Sequence, residues 1–552
     1  MMVSSILLLA SCLLTHSASA CGYVHTPRHA IAHSVAEIND PMSHGALGDN
    51  LLSLNEAIQL YNRTITVAQL SPAEIMQLGG LGADIAWARI DATFVPTITV
   101  ESDLDVMLDW PHGLLIEGYN GEAVLDFSHS SGSHGFRSMS NFCNWRNLEI
   151  VGGNYGIDLQ QTNAAFGGTV INNVLFDGQS QYGLSITGVA ANGWGRVLLG
   201  ECEFRNTPVG VRLDENMDWR TTVLGIFDTT FRGADVAIDC LLGTGGQATY
   251  LLEKLIIEGA TTGIRIRRAA GADRIMSLEA THLSINADHC FEYQGSSVTD
   301  SELKLRMLDL TANAAGGEAL HLGPLGSRLR GELSDCEMVG DVTVMLGGSP
   351  TNMAIHNARV ADGSVVLGAN WFWPVQIDQS RFDNCSVTTT GHNPVVFTES
   401  CFAGGSIQGT ASAPIQMGSC HLGATAGSHV TETGGLPAEQ LGSMSVAPIE
   451  PQLGGTVTLQ PNLPDGLIGF FVLGAPATLV TEPLPGVRAY LDPAQSVVAV
   501  AFVQQQQVTS LPIPTSLTLL DTNWVCQLLV TPTGGTQAPE VQVPPGQWFV
   551  LR

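Results

Sequence analysis

Seven polar or charged residues recur at nearly constant spacing through the middle of the sequence. They stand 26 to 29 residues apart, and each lies between two apolar residues, as Asp158 does between Ile157 and Leu159. Because alternate side chains of a β-strand point to opposite faces, these residues should form one outward column with neighbours about 4.8 Å apart. The column consists of Asp158, Ser185, Arg212, Asp239, Arg265, Glu292 and His321.

Arginines and carboxylates that alternate on a flat β face suit the handling of an acidic polysaccharide. A lyase needs a base beside the carbon that bears a carboxylate, and a cation that neutralises this carboxylate. A hydrolase would instead use two carboxylates, for which Asp239 and Asp214 are the candidate pair. The alternative is a structural ladder, in which unlike charges on adjacent strands neutralise one another. The candidate catalytic residues are Arg212, Asp239 and Arg265, and the candidate substrate contacts in the column are Asp158, Glu292 and His321.

Polar loops that follow the column residues flank this face. Trp194 and Trp219 are candidate substrate contacts, because an indole ring offers an apolar surface to a sugar ring. The carboxylates of Asp214, Glu215 and Asp218 are candidate ligands for calcium, which prefers oxygen ligands. Calcium is the one cofactor that the loops suggest, and an ordinary polar loop is the alternative because the EF-hand spacing is absent.

The elements that position the column are short strands in a repeat of about 27 residues. Each repeat opens with a strand closed by Gly or Asn, as in 173–178. The second strand carries the column residue, and a third apolar run, such as 196–199, precedes the next repeat. A fixed period with three short strands per unit predicts an all-β fold, a parallel β-helix with about twelve coils.

The repeat over residues 97–426 resembles right-handed parallel β-helix proteins of the pectate-lyase-like superfamily. The period, the three strands and the Gly and Asn turns carry this resemblance. The segment 49–58 also resembles the "SLREAI" motif of many such secreted proteins, with Asn55 in place of Arg. The superfamily contains lyases, hydrolases, epimerases and non-enzymatic adhesins, so the resemblance does not choose an activity. Gly-His-Gly and paired-Asp signatures are missing, and Arg265-Ile266-Arg267 only echoes the Arg-Ile-Lys of polygalacturonases.

The chain is predicted to have five segments. Residues 1–20 have the pattern of a signal peptide with cleavage after Ala20, and lipidation of Cys21 is the alternative. An N-terminal cap with short helices (21–96) should cover the open end of the β-helix (97–426). A linker (427–445) should lead to a C-terminal β-sandwich-like domain (446–552). We therefore expect a protein that is secreted or attached to the cell surface, without a transmembrane span.

The acidic net charge of the chain argues against nucleic acid as a partner. The net charge of -28 arises from 51 acidic and 23 basic residues, whereas nucleic-acid binding needs clustered cations. A polysaccharide or a cell-surface component is the expected partner, and nothing indicates an oligomeric state. A scaffold that binds or presents carbohydrate is the first functional hypothesis, and a lyase or hydrolase is the second. A face with every charge paired favours the scaffold, whereas a carboxylate without an ion pair favours the enzyme.

The eleven cysteines are scattered along the chain instead of forming a compact disulfide framework. Cys202 and Cys336 occupy the same inward position of the first strand. Cys401 and Cys420 are matched in successive coils, so a bridge between these two is possible. A buried free thiol is the alternative that we favour for each of these four cysteines.

Overall fold

The structure is a computed structural model that describes residues 34–550 apart from 80–84, 109–112, 130–133, 140–141, 162–167, 189–193, 215–220, 244–245, 269–274, 296–301, 326–327, 347–351, 370–374, 419, 434–442, 448–455, 463–466, 475, 485–486, 492–498, 505–508, 513–522 and 533–546. The predicted signal peptide and Cys21 lie outside the described residues. Of the helices that are described, none is long and apolar enough to cross a membrane.

Thirty-three strands form one continuous sheet that winds into a parallel β-solenoid, which confirms the predicted fold class. In chain order they are β1 (Ser34–Ile38), β2 (Leu78–Gly79), β3 (Ile85–Asp91), β4 (Thr97–Thr99), β5 (Leu115–Tyr119), β6 (Ala123–Asp126), β7 (Phe136–Ser138), β8 (Asn144–Val151), β9 (Tyr155–Gln161), β10 (Thr169–Asp177), β11 (Tyr182–Gly188), β12 (Trp194–Gly200), β13 (Glu203–Arg205), β14 (Val209–Asp214), β15 (Thr221–Phe227), β16 (Thr230–Arg232), β17 (Val236–Leu242), β18 (Gln247–Arg268), β19 (Ile275–Gln294), β20 (Glu302–Leu325), β21 (Arg328–Ser334), β22 (Glu337–Leu346), β23 (Asn352–His356), β24 (Arg359–Ala361), β25 (Ser364–Ala369), β26 (Val375–Asp378), β27 (Arg381–Gly391), β28 (Val395–Thr398), β29 (Cys401–Gln408), β30 (Ile415–Gly418), β31 (His421–Leu422), β32 (Thr425–Ala426) and β33 (Val430–Thr433).

One column of buried side chains measures the length of the turns. From Ala88 to Leu333 its successive members are 26 to 29 residues apart, and beyond Leu333 the spacing falls to 22 and then 20 residues. The repeat therefore shortens towards the C-terminal end, and the number of turns differs slightly from the twelve coils expected. The members of this column are all buried: Ala88, Ile116, Trp145, Ile171, Leu199, Ile226, Leu252, Ala280, Met307, Leu333, Ile355, Ile377, Phe397 and Met417.

Two corners of most described turns depend on residues with positive φ. The predicted Gly and Asn positions that close the first strand adopt this conformation at Gly152, Gly178, Asn206, Gly233 and Gly259. The corner before the first strand is also a single left-handed residue, yet glycine is absent from it. Polar side chains occupy this corner at Asn147, Asn173, Glu201, Asp228, Lys254, His282, Asp309, Asp335, Asn357, Gln379 and Glu399. Several of them bind the equivalent side chain of the next turn, as His282 Nδ1 does with Asp309 Oδ2 at 2.6 Å.

Aromatic rings stack inside the solenoid. Phe176, Phe204 and Phe231 lie parallel, with centroids 4.6 Å and 4.8 Å apart. A glycine faces each ring, because a Cβ atom at Gly183 would lie 2.5 Å from Phe204 Cδ1 and one at Gly210 would lie 2.6 Å from Phe231 Cδ1. The rings in the core therefore follow the same repeat from turn to turn as the strands do.

The N-terminal part contains the predicted short helices. Ser53 is the N-cap of helix α1 (Leu54–Asn62), and Ser71 is the N-cap of helix α2 (Pro72–Met76). Each cap forms a capping box, and a 3-10 turn (Val67–Gln69) lies between the two helices. Helix α1 packs against β1 and β3 through buried side chains. Strand β1 already pairs in parallel with β3, so solenoid pairing begins within the region that the sequence assigned to the cap.

The C-terminal region consists of antiparallel strands, as expected for an appended β-domain. They form three small sheets, of three, four and two strands. Strand β33 falls within the predicted linker and pairs with β30, so the solenoid extends into that segment. The strands are β34 (Ser443–Ala447), β35 (Thr456–Asn462), β36 (Leu467–Gly474), β37 (Pro476–Leu484), β38 (Val487–Leu491), β39 (Ala499–Gln504), β40 (Thr509–Pro512), β41 (Asn523–Pro532) and β42 (Gln547–Val550).

The cysteines confirm one expectation and correct another. Cys202 and Cys336 are buried on the inner side, as predicted. The suggested bridge between Cys401 and Cys420 is wrong, because Cys401 pairs in register with His421 and carries a free thiol. A shift of one residue along a strand turns a side chain to the opposite face, so the two sulfurs do not meet.

The buried thiols of Cys290 and Cys336 are predicted to be unreactive in the folded protein. Burial raises the pKa of each thiol to about 11, and the thiolate is the reactive form. Iodoacetamide at pH 8 should leave both residues unmodified under native conditions and should alkylate both in 6 M guanidinium, roughly a concentration that unfolds most domains. Peptide mass spectrometry would check this, and modification of the native protein within minutes would contradict it.

Candidate functional site

The predicted column exists in the order expected. Strand pairing places Asp158 beside Ser185, then Arg212, Asp239, Arg265, Glu292 and His321 on seven successive turns. Two further columns run along its sides, one beginning with Tyr155 and Tyr182, the other with Gln160, Thr187 and Asp214. We call the outward side chains of these three columns, on β9, β11, β14, β17 and the last parts of β18 to β20, the second-strand face.

Asp239 lies at the centre of the face and is bound by two arginines. Arg265 Nε donates to its Oδ1 at 3.0 Å, and Arg267 Nη2 donates to its two oxygens at 3.0 Å and 2.9 Å. Asp239 is only 5% exposed. Burial acts to raise the pKa of this carboxyl, but the hydrogen bonds and charges of Arg265 and Arg267 outweigh burial and lower it. Asp239 is therefore an ionised carboxylate whose charge is balanced by two arginines.

Arg212 is held by its own neighbours as well. Its Nη2 donates to Asp214 Oδ2 at 3.2 Å, and its Nη1 donates to the hydroxyl of Tyr182. The guanidinium carbon lies 5.1 Å from the Tyr182 ring centroid. Burial alone would lower the pKa of Arg212, but Tyr182 and Asp214 outweigh it and raise the pKa.

Aromatic rings continue this arrangement towards the N-terminal end of the face. Tyr182 stands 5.4 Å from Tyr155, and Tyr155 stacks on His134 at 5.3 Å. The flat surfaces of these rings therefore contact mainly one another. The ring edges and hydroxyl groups are the parts that face outward here. Burial, followed by the charge of Asp158, raises the pKa of Tyr155.

The remaining predicted contacts make mainly local hydrogen bonds. Asp158 accepts from Gln160 Nε2 at 2.9 Å, and Glu292 accepts from Gln294 Nε2 at 2.5 Å. In the described part of the chain, Asp158 forms no ion pair although it is only 7% exposed. It is the one column carboxylate that combines strong burial with an uncharged partner.

His321 belongs to a separate cluster at the C-terminal end of the column. Its Nδ1 lies 3.0 Å from Glu318 Oε1, and its Nε2 lies 3.1 Å from the carbonyl oxygen of Gly323. The other oxygen of Glu318 lies 3.2 Å from His289 Nδ1. Both ring nitrogens of His321 are thus engaged within the protein.

The loop residues are only partly described. Asp214 Oδ1 is buried, and within the described part of the chain no donor forms a hydrogen bond with it. Glu215, Asp218 and Trp219 lie outside the described residues, and of Trp194 only the backbone is described. Within the described ranges, no three His, Cys, Asp or Glu side chains are arranged to hold a metal ion. The calcium site remains a prediction.

The sequence interpretation did not assign roles to three residues that shape the face. Arg267 stands two positions after Arg265, so the same alternation that defined the column places it on the same face. Tyr182 stands three positions before Ser185 at the start of its strand, and Glu318 pairs in register with His289 of the preceding turn. The signal for Arg267 was present in the sequence, whereas the roles of Tyr182 and Glu318 depend on side-chain contacts.

No known family and no curated protein matches this sequence. The fold and the side-chain contacts are therefore the basis of the functional argument that follows.

Proposed function

We propose that this protein is a secreted or cell-surface scaffold that binds or presents a carbohydrate or another surface ligand on its second-strand face. The observation that carries the proposal is the ion pairing of the three candidate catalytic residues, Arg212, Asp239 and Arg265. Asp239 is bound by Arg265 and Arg267, and Arg212 is bound by Asp214. A general base needs a free lone pair, and a cation that neutralises a substrate carboxylate must be open to that carboxylate. In this ladder the carboxylates of Asp239 and Asp214 form ion pairs with the arginines instead.

Ion pairs on another side of the solenoid support a structural use of charge. On the first strands, Arg205 binds Glu203 through two hydrogen bonds of 2.8 Å, and Arg232 bridges Glu203 and Glu258 at 2.8 Å and 3.1 Å. Because such networks recur away from the second-strand face, paired charge is a general device that holds register in this solenoid. The column is one instance of it.

The same face has properties that suit a polymeric ligand. Hydroxyl, amide and guanidinium groups stand at the strand spacing of about 4.8 Å on a backbone that cannot rearrange. A binding surface that is already ordered loses little conformational entropy when a ligand binds. Ser185, Thr187 and Gln160 supply neutral hydrogen-bonding groups on the two turns that precede Arg212. We infer a ligand that lies along the solenoid axis and contacts several turns.

A polysaccharide lyase or hydrolase is the second candidate, and Asp158 is the observation that favours it. Its carboxylate makes no ion pair in the described ranges. One strand lies between it and Arg212, so the two residues are two strand spacings apart, about 9.6 Å. On this alternative, Asp158 takes the role of base in place of Asp239, and Arg212 binds the acidic group of the substrate.

A panel of acidic and neutral polysaccharides, with and without calcium, tests the proposal. We expect binding without cleavage, and Arg212→Ala should weaken binding about tenfold, which corresponds to about 1.4 kcal/mol. Arg306→Ala is the matched control, because Arg306 is an exposed, ion-paired arginine outside the second-strand face. Cleavage by the wild type that disappears in Asp158→Asn or Arg265→Ala would overturn the scaffold in favour of the enzyme. Failure of the whole panel to bind would contradict both.

Secretion is part of the proposal and rests on the N-terminal sequence pattern. The intact mass of the mature protein would distinguish a chain that begins with unmodified Cys21 from one in which this residue is lipidated. A full-length chain retained in the cytoplasm would contradict export.

A further inference from the structure

The turn between β5 and β6 contains an asparagine that is followed directly by a glycine. Asn120 and Gly121 form the one Asn-Gly pair within the described residues, and both are exposed. In such a pair the backbone nitrogen of the glycine can attack the side-chain carbon of the asparagine, because no Cβ atom hinders the approach. Whether the reaction occurs in a folded protein depends on how the fold holds the nitrogen and the side chain.

The attacking nitrogen, Gly121 N, is not engaged by the fold. In the part of the chain that the structure describes, no oxygen accepts a hydrogen bond from it. Gly121 has a φ of +146°, and a Cβ atom built at this position would meet only the Cβ atom of Ala92, at 3.4 Å. The peptide group between Asn120 and Gly121 can therefore rotate in open space without breaking a hydrogen bond of this N–H group.

The side chain of Asn120 contacts the preceding turn of the solenoid. Its Nδ2 donates to Asp91 Oδ2 at 3.1 Å. The other oxygen of Asp91 accepts from Thr93 N at 2.9 Å and from Thr93 Oγ1 at 2.6 Å. Ala92 N also donates to the carbonyl oxygen of Tyr119 at 2.9 Å, so the backbones of the two turns are joined independently of the Asn120 side chain.

Asn357 provides a comparison within the same chain. Like Asn120 it is exposed and left-handed, with φ values of 48° and 56° respectively. Its Nδ2 also donates to an aspartate of the preceding turn, Asp335, at 2.6 Å. The next residue is Ala358, which is buried and donates its N–H to Ser380 Oγ at 3.2 Å. The two asparagines therefore differ mainly in whether the following backbone nitrogen is free to react.

We propose that Asn120 is a site of spontaneous deamidation in the folded protein, with water as the only co-reactant. The Gly121 nitrogen loses its proton and bonds to Asn120 Cγ, the Cγ–Nδ2 bond breaks, and the amide group leaves as ammonia. The product of this step is a cyclic imide. Water then adds to one of the two imide carbonyl carbons and opens the ring, which leaves aspartate or isoaspartate at position 120. The reaction is independent of ligand binding at the second-strand face.

The modification changes the contact between the first turns of the solenoid. It replaces the amide donor of Asn120 with a carboxylate beside Asp91, so a hydrogen bond is lost and two like charges face each other. Hydrogen bonds from Thr93 and from Asn120 lower the pKa of Asp91, and the modified side chain no longer contributes to this shift. Because the backbone hydrogen bond between Ala92 and Tyr119 remains, we expect the turns to stay paired and to open locally more often.

Peptide mapping of the folded full-length protein during incubation at pH 6 and pH 8 tests the site. The peptide that contains Asn120 should show the mass change that replaces NH2 with OH, and the reaction should be faster at pH 8 because the attacking nitrogen has to lose its proton. Asn357 is the internal control and should react at least about tenfold more slowly, which corresponds to about 1.4 kcal/mol in the activation barrier. Asn120→Gln should remove the reaction, because its longer side chain would have to close a larger ring.

The same measurement on protein unfolded in urea separates the effect of the fold from that of the sequence. Asn120 should react in the folded protein at a rate within about tenfold of its unfolded rate, whereas unfolding should accelerate the reaction of Asn357 by more than this factor. A folded-state rate at Asn120 that lies further below the unfolded rate would show that the fold protects the site, and the proposal would be wrong. Equal folded-state rates at Asn120 and Asn357 would also overturn it, because the engagement of the Ala358 N–H group would then make no difference.

Discussion

Replacing Phe204 with alanine is expected to lower the free energy of unfolding of the solenoid by about 3–5 kcal/mol. The Phe204 side chain is fully buried between the rings of Phe176 and Phe231. Its removal leaves a cavity that the surroundings cannot close, because the paired strands on both sides keep the neighbouring turns at the spacing of a β-sheet. In a solenoid each turn contacts only the turns next to it, so the loss affects two interfaces at once.

Urea unfolding monitored by far-UV circular dichroism would measure this loss. Phe94→Ala is the control, because the same phenyl group is removed from a side chain that is 79% exposed. Its effect should stay within about 0.5 kcal/mol. A loss below about 1 kcal/mol in Phe204→Ala, in the range of an average surface change, would contradict the rigid stack.

The fold was predictable from the sequence because two independent periods, the alternation along each strand and the length of the repeat, indicate the same fold. Alternation along each strand identifies inward residues such as Ile157 and Leu159, and the step of about 27 residues identifies their equivalents on the next turn. Both are backbone properties, so the register of the column from Asp158 to His321 follows from them. Strand pairing reproduces that register residue by residue.

What the sequence could not predict depends on the reach of side chains and on the ends of strands. Arg267 binds Asp239 from a neighbouring column, and alternation alone does not say which of two long side chains reaches a carboxylate. Cys401 is the first residue of its strand, where an error of one position turns the side chain to the other face. The left-handed corner before the first strand was missed because residues such as Lys254 and Glu399 occupy it, although positive φ usually favours Gly, Asn or Asp.

Changing Asp239 to asparagine is expected to destabilise the solenoid by about 2–3 kcal/mol at neutral pH, slightly less than the cost of breaking a fully buried pair. The variant keeps the size of the side chain but removes the charge that neutralises Arg265 and Arg267. The Asp239 side chain is 7% exposed, whereas the two arginines are 28% and 37% exposed and regain part of their hydration. Asp228→Asn is the matched control, because Asp228 pairs with Lys254 on the surface, where such a pair contributes about 0.5 kcal/mol.

The pH dependence of this difference follows from the lowered pKa of Asp239 in the folded protein. Burial opposes the shift, and the two arginines produce it. A carboxyl with a lowered pKa stabilises the folded state fully above its unfolded pKa of about 3.9, and the contribution is lost as the pH falls through the folded value. Urea unfolding of wild type and Asp239→Asn should therefore differ by a constant amount between pH 6 and 8, and the difference should shrink below pH 4. A difference that persists undiminished at pH 2, or that is absent at pH 7, would show that the charge of Asp239 does not hold these turns together.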